Sequence, residues 1–335
     1  MTELTLTTGG LDTAQPGAQT VASRHAAHTP RLVRAAGLLV ALGAISAVYA
    51  AAVRPWFLRW GSTPTEATAT LPGDSIIPNA AFQETRAITI HAPVEQVWPW
   101  LAQLGQDRGG FYSYDILENL VGCRMPTVDS LRPAAQQWTL GDKLWMYPAD
   151  RAGGVGFATL RTYLPGRAMA FGTRNMGVAP GMPDDGSWSF ALRRVDASTT
   201  RLIVRGRGVA QTTLLGAAFN YVVFEPAHFV MEKRMMIGID QLSTGHSRQR
   251  WVNHLQVTLW TATFVMFVVG LVWIFIGPVW HRKLAGVVSA AVVFQVLTLG
   301  QPPLDVGVIL VLVVATILWW PVQPGSPLSH VGAPN

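Results

Sequence analysis

The chain has 335 residues, of which 25 are Lys or Arg and 19 are Asp or Glu, so charged residues make up only 13% of it. A typical soluble domain carries about 25%. Half of the residues are hydrophobic, which excludes a disordered chain. The single cysteine, Cys123, excludes an internal disulfide framework and a cysteine zinc cluster. The composition therefore indicates a membrane protein, or a soluble domain with membrane-spanning parts.

Four stretches of the chain contain no charged residue. They are residues 35–53, 255–276, 284–299 and 306–320. A helix needs roughly 20 residues to cross a hydrocarbon core of about 30 Å, so the first two are long enough and the last two fall short. We predict four transmembrane helices within residues 31–55 and 254–320. The last two are either tilted spans or a hairpin that enters the membrane and returns.

The remaining segments differ in composition. Residues 1–30 and 321–335 are predicted to be tails, the first of them disordered, and residues 61–83 form a Pro-, Gly-, Ser- and Thr-rich linker. Residues 84–246 form a block with more charges, which we predict to be a folded domain. Residues 31–55 are predicted to be an uncleaved anchor, because their apolar run is longer than the core of a signal peptide.

The basic residues beside the spans predict the orientation only weakly. The positive-inside rule places Arg31, Arg34, Arg282 and Lys283 in the cytoplasm, and therefore the block outside. Basic residues that flank the block itself favour the opposite orientation, and these are Arg54, Arg59, Arg248 and Arg250. The high isoelectric point is thus a membrane-boundary effect, and no nucleic-acid partner is predicted.

Within the block, the periodicity predicts one strand, two short helices, five further strands and one long helix. The first strand alternates apolar and polar residues, and Pro93 stands at the start of the helix that follows. The predicted strands are 84–91, 143–146, 156–163, 168–172, 186–193 and 201–207, and the predicted helices are 94–104, 114–121 and 212–242.

Three segments of the block resemble a known family. They read HAPVEQVWPWLAQLGQDRGGFYSYDILENLVG from His91, GDKLWM from Gly141 and EPAHFVMEKRMMIGI from Glu225. They look like the START-like SRPBCC superfamily of polyketide cyclases and lipid-transfer domains, over residues 84–246 only. The resemblance implies an α+β helix-grip fold, in which a curved antiparallel sheet encloses a long C-terminal helix and an apolar cavity. The first segment is similar to one bacterial subgroup, which implies a bacterial plasma membrane.

The loop before the second short helix is one candidate site. It brings together Asp107, Arg108, Phe111 and Tyr112 beside two glycines. Such a loop either closes a pocket mouth, with the charged pair orienting a polar head group, or caps the structure through ion pairs. Asp115 and Glu118, one turn apart on the next helix, are either paired carboxylates or a solvated first turn.

The long helix and the strands supply the other candidates. His228, Met231 and Met235 lie on one stripe of the helix, and Trp188 lies on the apolar face of a strand. His228 is a candidate catalytic base oriented by Glu232 at i+4, or a buried histidine bonded to a strand carbonyl. The methionines line a ligand cavity or fill the core.

We therefore expect a membrane-anchored domain that binds, and in one version transfers, a hydrophobic small molecule or lipid. No cofactor, no metal and no defined protein partner are predicted. The first alternative is a cyclase or dehydratase acting on an apolar ketone, in which Asp107 or His228 transfers a proton and Arg108 steadies the enolate. The second alternative is a protein-interaction module that assembles the spans. No polar cluster interrupts the predicted spans, so a transporter is not indicated.

Overall fold

The computed structural model describes residues 31–126, 128–151, 156–174, 183–276 and 280–319. The predicted tails 1–30 and 321–335 lie outside these residues. The helices are α1 (Arg31–Leu58), α2 (Pro64–Thr68), α3 (Val94–Ala102), α4 (Asp115–Leu120), α5 (Leu214–Ser243), α6 (Arg250–Ile276), α7 (Trp280–Gly300) and α8 (Leu304–Trp319). The strands are β1 (Phe82–Ile90), β2 (Lys143–Trp145), β3 (Phe157–Leu164), β4 (Ala168–Thr173), β5 (Gly186–Arg194) and β6 (Thr200–Gly208).

The six strands form one antiparallel sheet in the order β1-β6-β5-β4-β3-β2. The first strand pairs with the last, from Phe82 opposite Gly208 to Ile90 opposite Thr200. The other pairs are neighbours along the chain, and short turns join β3 to β4 and β5 to β6. The element order is the one predicted for a helix-grip domain, so the α+β prediction is confirmed for this part of the chain.

The core of the domain lies between the concave face of the sheet, α3 and the second half of α5. It contains Leu101, Phe171, Phe190, Met236 and Ile239, each with no more than a trace of exposed surface. Period-2 alternation along the strands places Phe171 and Phe190 on one face of the sheet, and the other three residues come from the two helices packed against it. A second cluster joins the domain to α6, α7 and α8, and it contains Tyr114 and Phe229 together with Trp260, Val293 and Val314 of these helices.

Helix α5 has two unlike halves. Residues 225–243 are enclosed by the sheet, and the charged side chains Glu232 and Arg234 are buried among them. In contrast, Leu214 is 92% exposed and Leu215 is 82% exposed, and the next eight residues pack against little. By length and hydropathy α5 qualifies as a membrane span. Its second half is instead enclosed by the domain, so only the first half is exposed.

Helices α1, α6 and α7 are also long and apolar enough to cross a membrane, with 28, 27 and 21 residues. Helix α8 is shorter, at 16 residues. These four helices coincide with the four predicted spans. Helices α7 and α8 run antiparallel, because a turn at Gln301 joins them and Lys283, near the start of α7, donates to the carbonyl of Leu318 near the end of α8.

The segment predicted as a linker is folded over the outer face of the sheet. Thr63 and Glu66 cap α2 reciprocally, and Glu66 also accepts from Arg201 at 2.9 Å. Arg205, which is 1% exposed, donates to Asp74 and to backbone carbonyls of this segment. The ion pairs hold this segment against the domain, and its last two residues, Phe82 and Gln83, already belong to β1.

Candidate functional site

A cavity of about 170 Å³ lies between α4, β5 and the gripped half of α5. Its wall is mainly apolar. The lining residues are Phe111, Ser113, Glu118, Val121, Cys123, Met125, Met146, Trp188, His228, Met231, Glu232 and Met235. Pockets for drug-sized ligands are roughly 300–1000 Å³, whereas an apolar cavity of about 150 Å³ admits benzene. This cavity therefore fits a small apolar molecule, or one end of a longer one.

A buried ion network lies beneath the cavity. The Arg86 guanidinium, which is 0% exposed, donates to Glu84 at 2.5 Å and to Glu232 at 2.7 Å. It also donates to the carbonyl of Phe57 at 2.9 Å. Glu84 and Arg86 are two residues apart on β1, so both side chains point to the concave face. Trp188 of β5 donates to the second oxygen of Glu232 at 2.7 Å.

His228 of α5 joins this network to the cavity. Its Nδ1 lies 3.0 Å from Glu84, whereas its Nε2 lies 3.8 Å from Glu232, beyond hydrogen-bond distance. The ring stacks on Phe224, with 5.6 Å between centroids. Burial by itself would lower the pKa of His228, but the carboxylate of Glu84 beside it raises the pKa above its ordinary value. The predicted partner Glu232 is therefore the more distant one, and the orienting carboxylate is Glu84.

The charges of the network balance when His228 is protonated. Glu84 and Glu232 carry two negative charges, and Arg86 supplies one positive charge. An imidazolium at His228 completes the neutral cluster that a buried site requires. Arg86 and His228 likewise hold the pKa of Glu84 below its ordinary range, against the opposing effect of burial.

Glu84, His228 and Glu232 also lie close enough together to share a metal ion. The four carboxylate oxygens of Glu84 and Glu232, however, already face donors. Arg86 donates to one oxygen of each carboxylate. The second oxygen of Glu84 faces His228, and the second oxygen of Glu232 accepts from Trp188. A divalent cation would have to displace the Arg86 guanidinium. The residues present fit a donor network better than a metal centre.

Glu118 stands on the wall formed by α4. Its Oε2 is buried and has no hydrogen-bond partner among the described residues. Burial raises the pKa of Glu118 to about 8, and the negative charge of Asp115 adds to this effect. The carboxyl group is therefore mostly neutral at pH 7. Of the two sequence interpretations, a solvated first turn does not describe Glu118, which lines the cavity.

Five of the predicted ligand-binding residues line the cavity. They are Phe111, Trp188, His228, Met231 and Met235. The other three, Asp107, Arg108 and Tyr112, are not among its lining residues. Asp107 is exposed on the surface of the loop.

The loop of Asp107 and Arg108 has a structural role in the described chain. The Arg108 guanidinium lies 3.6 Å from the centroid of the Trp138 ring and donates to the carbonyls of Ala135 and Gln137. Tyr112 is 1% exposed and donates to the carbonyl of Trp100 at 3.1 Å. These contacts hold the loop through a ring and backbone carbonyls instead of the ion pairs of the capping interpretation, and Phe111 is the loop candidate that lines the cavity.

The sequence interpretation missed Glu84, Arg86 and Glu118 as site residues. Glu84 and Arg86 share the face of β1 that carries Ile88 and Ile90, and charged residues on an apolar face are a signal of a buried pair. For Glu118 the signal was weaker, because a carboxylate in the first turn of a helix is common on the surface.

No family model matches the chain, and no curated protein matches it. Several solved structures match the part of the chain that contains the sheet. One is the Aha1 dimer from Colwellia psychrerythraea, at 17% identity and a TM-score of 0.29, covering 50% of this chain and 99% of that one.

Two further matches are similar in extent. A protein from Arthrobacter aurescens matches at 14% identity and a TM-score of 0.30, covering 54% of this chain and 94% of its own. A Polyketide_cyc-like protein from Corynebacterium glutamicum matches at 13% identity and a TM-score of 0.24, covering 49% of this chain and 87% of its own. Identities and TM-scores this low assign no activity to the chain. The strand order and the gripped helix themselves give residues 82–243 a START-like fold.

Proposed function

We propose that the protein is anchored in a membrane by α1, α6, α7 and α8 and that its helix-grip domain binds a small apolar molecule taken from the bilayer. The observation that carries the proposal is the continuity of α5. One half of this helix carries His228, Met231 and Met235 on the cavity wall, and the other half is a helical segment with exposed apolar side chains.

Contacts between α1 and α5 place the exposed half of α5 beside the first span. Tyr49 donates to the carbonyl of Tyr221, Arg54 pairs with Glu225, and Phe57 stacks on Phe229. Because the partners follow the same order along both helices, the helices run parallel.

The depth of the exposed half follows from these contacts. Leu214 lies about 10 Å further along the axis than Tyr221, at a rise of 1.5 Å per residue. It is thus level with the apolar middle of α1. If α1 spans the bilayer, residues 214–224 dip into the lipid, and the residues exposed there are Leu214, Leu215, Phe219, Val222, Val223 and Phe224. This apolar surface would otherwise face water, which is unfavourable by about 25 cal/mol per Å².

Binding is favoured over the cyclase alternative by the position of the charged residues. That alternative uses Asp107 for proton transfer and Arg108 to steady an enolate, and neither residue lines the cavity. Only His228 among its proposed groups reaches the ligand space. A protein-interaction module would not explain an apolar cavity whose wall is formed in part by α5.

Mass spectrometry of the full chain in detergent, followed by solvent extraction, tests the proposal. The wild type is expected to retain an apolar molecule. Met231→Trp fills the cavity and should reduce the retained amount about tenfold, because the ligand loses its space. Val195→Trp, on a surface turn beyond β5, should retain the wild-type amount. Equal retention by all three proteins, or none by the wild type, would contradict ligand binding.

A further inference from the structure

Two side chains on the cavity wall, His228 and Glu118, carry polar atoms that have no hydrogen bond among the described residues. The Ser113 hydroxyl donates to the carbonyl of Met231, and the Cys123 thiol donates to that of Met146. The two oxygens of Glu232 accept from Arg86 and Trp188. His228 Nε2 lies 3.8 Å from its nearest carboxylate oxygen, and Glu118 Oε2 is buried without a partner.

The charges around these two atoms make both of them donors. His228 completes the neutral ion network only as an imidazolium, which carries a proton on Nε2 as well as on Nδ1. Glu118 makes no ion pair within the described chain, and its carboxyl group stays neutral in this apolar surrounding. A neutral carboxyl group offers an O–H donor. A ligand that supplies acceptors gains a hydrogen bond from each donor, and at the buried Glu118 oxygen it also removes the cost of an unpaired donor.

We propose that the cavity holds an apolar chain that ends in a carboxylate, and that the carboxylate accepts hydrogen bonds from His228 and Glu118. A carboxylate has two acceptor oxygens and a negative charge that complements the imidazolium. An ammonium group has only donors and would meet the imidazolium, so it is excluded. An alcohol offers a single oxygen and no charge. The inference rests on the proposed function, since it specifies the ligand of that same cavity.

The cavity volume limits the chain to which the carboxylate is attached. A cavity of about 170 Å³ accepts one short apolar chain, and a longer chain would have to continue outside it. The stack of His228 on Phe224 leads from the cavity to the exposed half of α5. A bound amphiphile would thus place its head at His228, beside Phe224, and its chain in the apolar cavity.

Titration of the full chain in nanodiscs with octanoate, 1-octanol and octylammonium tests the assignment, with empty nanodiscs correcting for partition. Octanoate carrying ¹³C in its carboxyl group is followed by NMR, and the other two compounds are measured by competition. We expect octanoate to bind about tenfold more tightly than 1-octanol, as for a hydrogen bond to a charged group, and octylammonium not to compete.

Two variants probe the two donors. Glu118→Leu and His228→Phe should each weaken octanoate binding about tenfold and change 1-octanol binding little. Met235→Leu keeps the wall apolar and should preserve the preference. His228→Phe leaves one oxygen of Glu84 without a partner, so if that variant does not fold, Glu118→Leu decides alone.

The outcomes separate this inference from the proposed function. The carboxylate assignment would be overturned if octylammonium bound as tightly as octanoate, or if Glu118→Leu kept the preference for octanoate over 1-octanol. In either case, binding of 1-octanol would still support an apolar cavity. Failure of every probe to bind would overturn both.

Discussion

At the scale of residues, the domain buries charged side chains on a face of β1 that also carries apolar residues. Arg86 lies on the concave face of β1, and its guanidinium fork reaches Glu84 and Glu232 at the same time. A lysine at this position could not supply two such bonds in one plane. The network orients His228 toward the cavity, because Glu84 accepts from its Nδ1.

Glu118 gives a prediction about pH. Its pKa is about 8 in the folded chain and 4.5 ordinarily, so the unfolded chain ionises first as the pH rises. The stability that the neutral group contributes is present below pH 4.5 and is lost as the pH rises through 8. Glu118→Gln, which never ionises, should therefore raise the unfolding temperature at about pH 9 and change it little near pH 4.5. Thermal unfolding in detergent measures both.

Glu95→Gln provides the matched control for this experiment. Glu95 lies on the domain surface and pairs with Arg194, and its pKa is lowered by a backbone hydrogen bond and by that arginine. Its replacement should give no gain at high pH. A gain of the same size in both variants would show that the effect does not come from the burial of Glu118.

At the scale of elements, one close contact sets the position of α5 against the loop before α4. Gly238 faces the backbone of Tyr112, and a Cβ at this position would collide with the Tyr112 carbonyl. Tyr112 itself has a positive φ of 56°. The loop and the helix thus fit together only when residue 238 has no side chain.

Gly238→Ala should consequently displace α5 from the loop. We expect a loss of about 1–3 kcal/mol in unfolding free energy, as for an overpacked core, together with weaker ligand retention. Gly43→Ala is the control, since nothing lies within 4 Å of a Cβ at Gly43 in α1. Denaturant unfolding of both variants measures the difference. Equal stability of the two would mean that the contact does not constrain the helix.

At the scale of the whole molecule, hydrogen bonds tie the domain to the predicted membrane helices. Tyr114 donates to Gln256 of α6 at 2.8 Å, and Asn253 of α6 donates to the carbonyl of Ser113. Lys233 of α5 donates to the carbonyls of Leu299 and Gly300, at the end of α7. Ser113 also lines the cavity, so the cavity wall and the helices form one connected structure.

The ends of the helices bear on the orientation. Arg31 and Arg282 begin α1 and α7 at the end away from the domain, whereas Arg54 and Arg250 at the domain end are paired with Glu225 and Asp129. We therefore keep the expectation that the domain lies outside the cytoplasm. In a Cys123→Ala background, Val195→Cys should react with an impermeant maleimide in spheroplasts, and Arg282→Cys only after lysis. The reverse pattern would invert the orientation.

The same background tests whether α5 enters the lipid. A fluorophore attached at Leu215→Cys in nanodiscs should be quenched by lipids with a spin label on the acyl chain. A fluorophore at Val195→Cys, far from the helices, should not be quenched. If the label at position 215 is quenched only by a water-soluble agent, residues 214–224 do not lie in the bilayer.

The sequence by itself determined the order of strands and helices, because these depend on local periodicity and on turn residues. The predicted strand 186–193 and the observed Gly186–Arg194 differ by one residue. It also determined the apolar segments, since the absence of charge over 15 to 22 residues needs no tertiary information. Four of the five confirmed cavity contacts followed from the apolar faces of the sheet and the long helix, and the fifth, Phe111, followed from the composition of the loop before α4.

Only the tertiary structure decided which charged residues meet. Glu84 and His228 are far apart in the chain and are brought together by the packing of α5 on β1, so spacing pointed instead to the neighbour Glu232. Local composition could not show that Arg108 stacks on Trp138 away from the cavity. It also could not show that α5 is half enclosed and half exposed, because hydropathy averages over a helix whose surroundings change along its length.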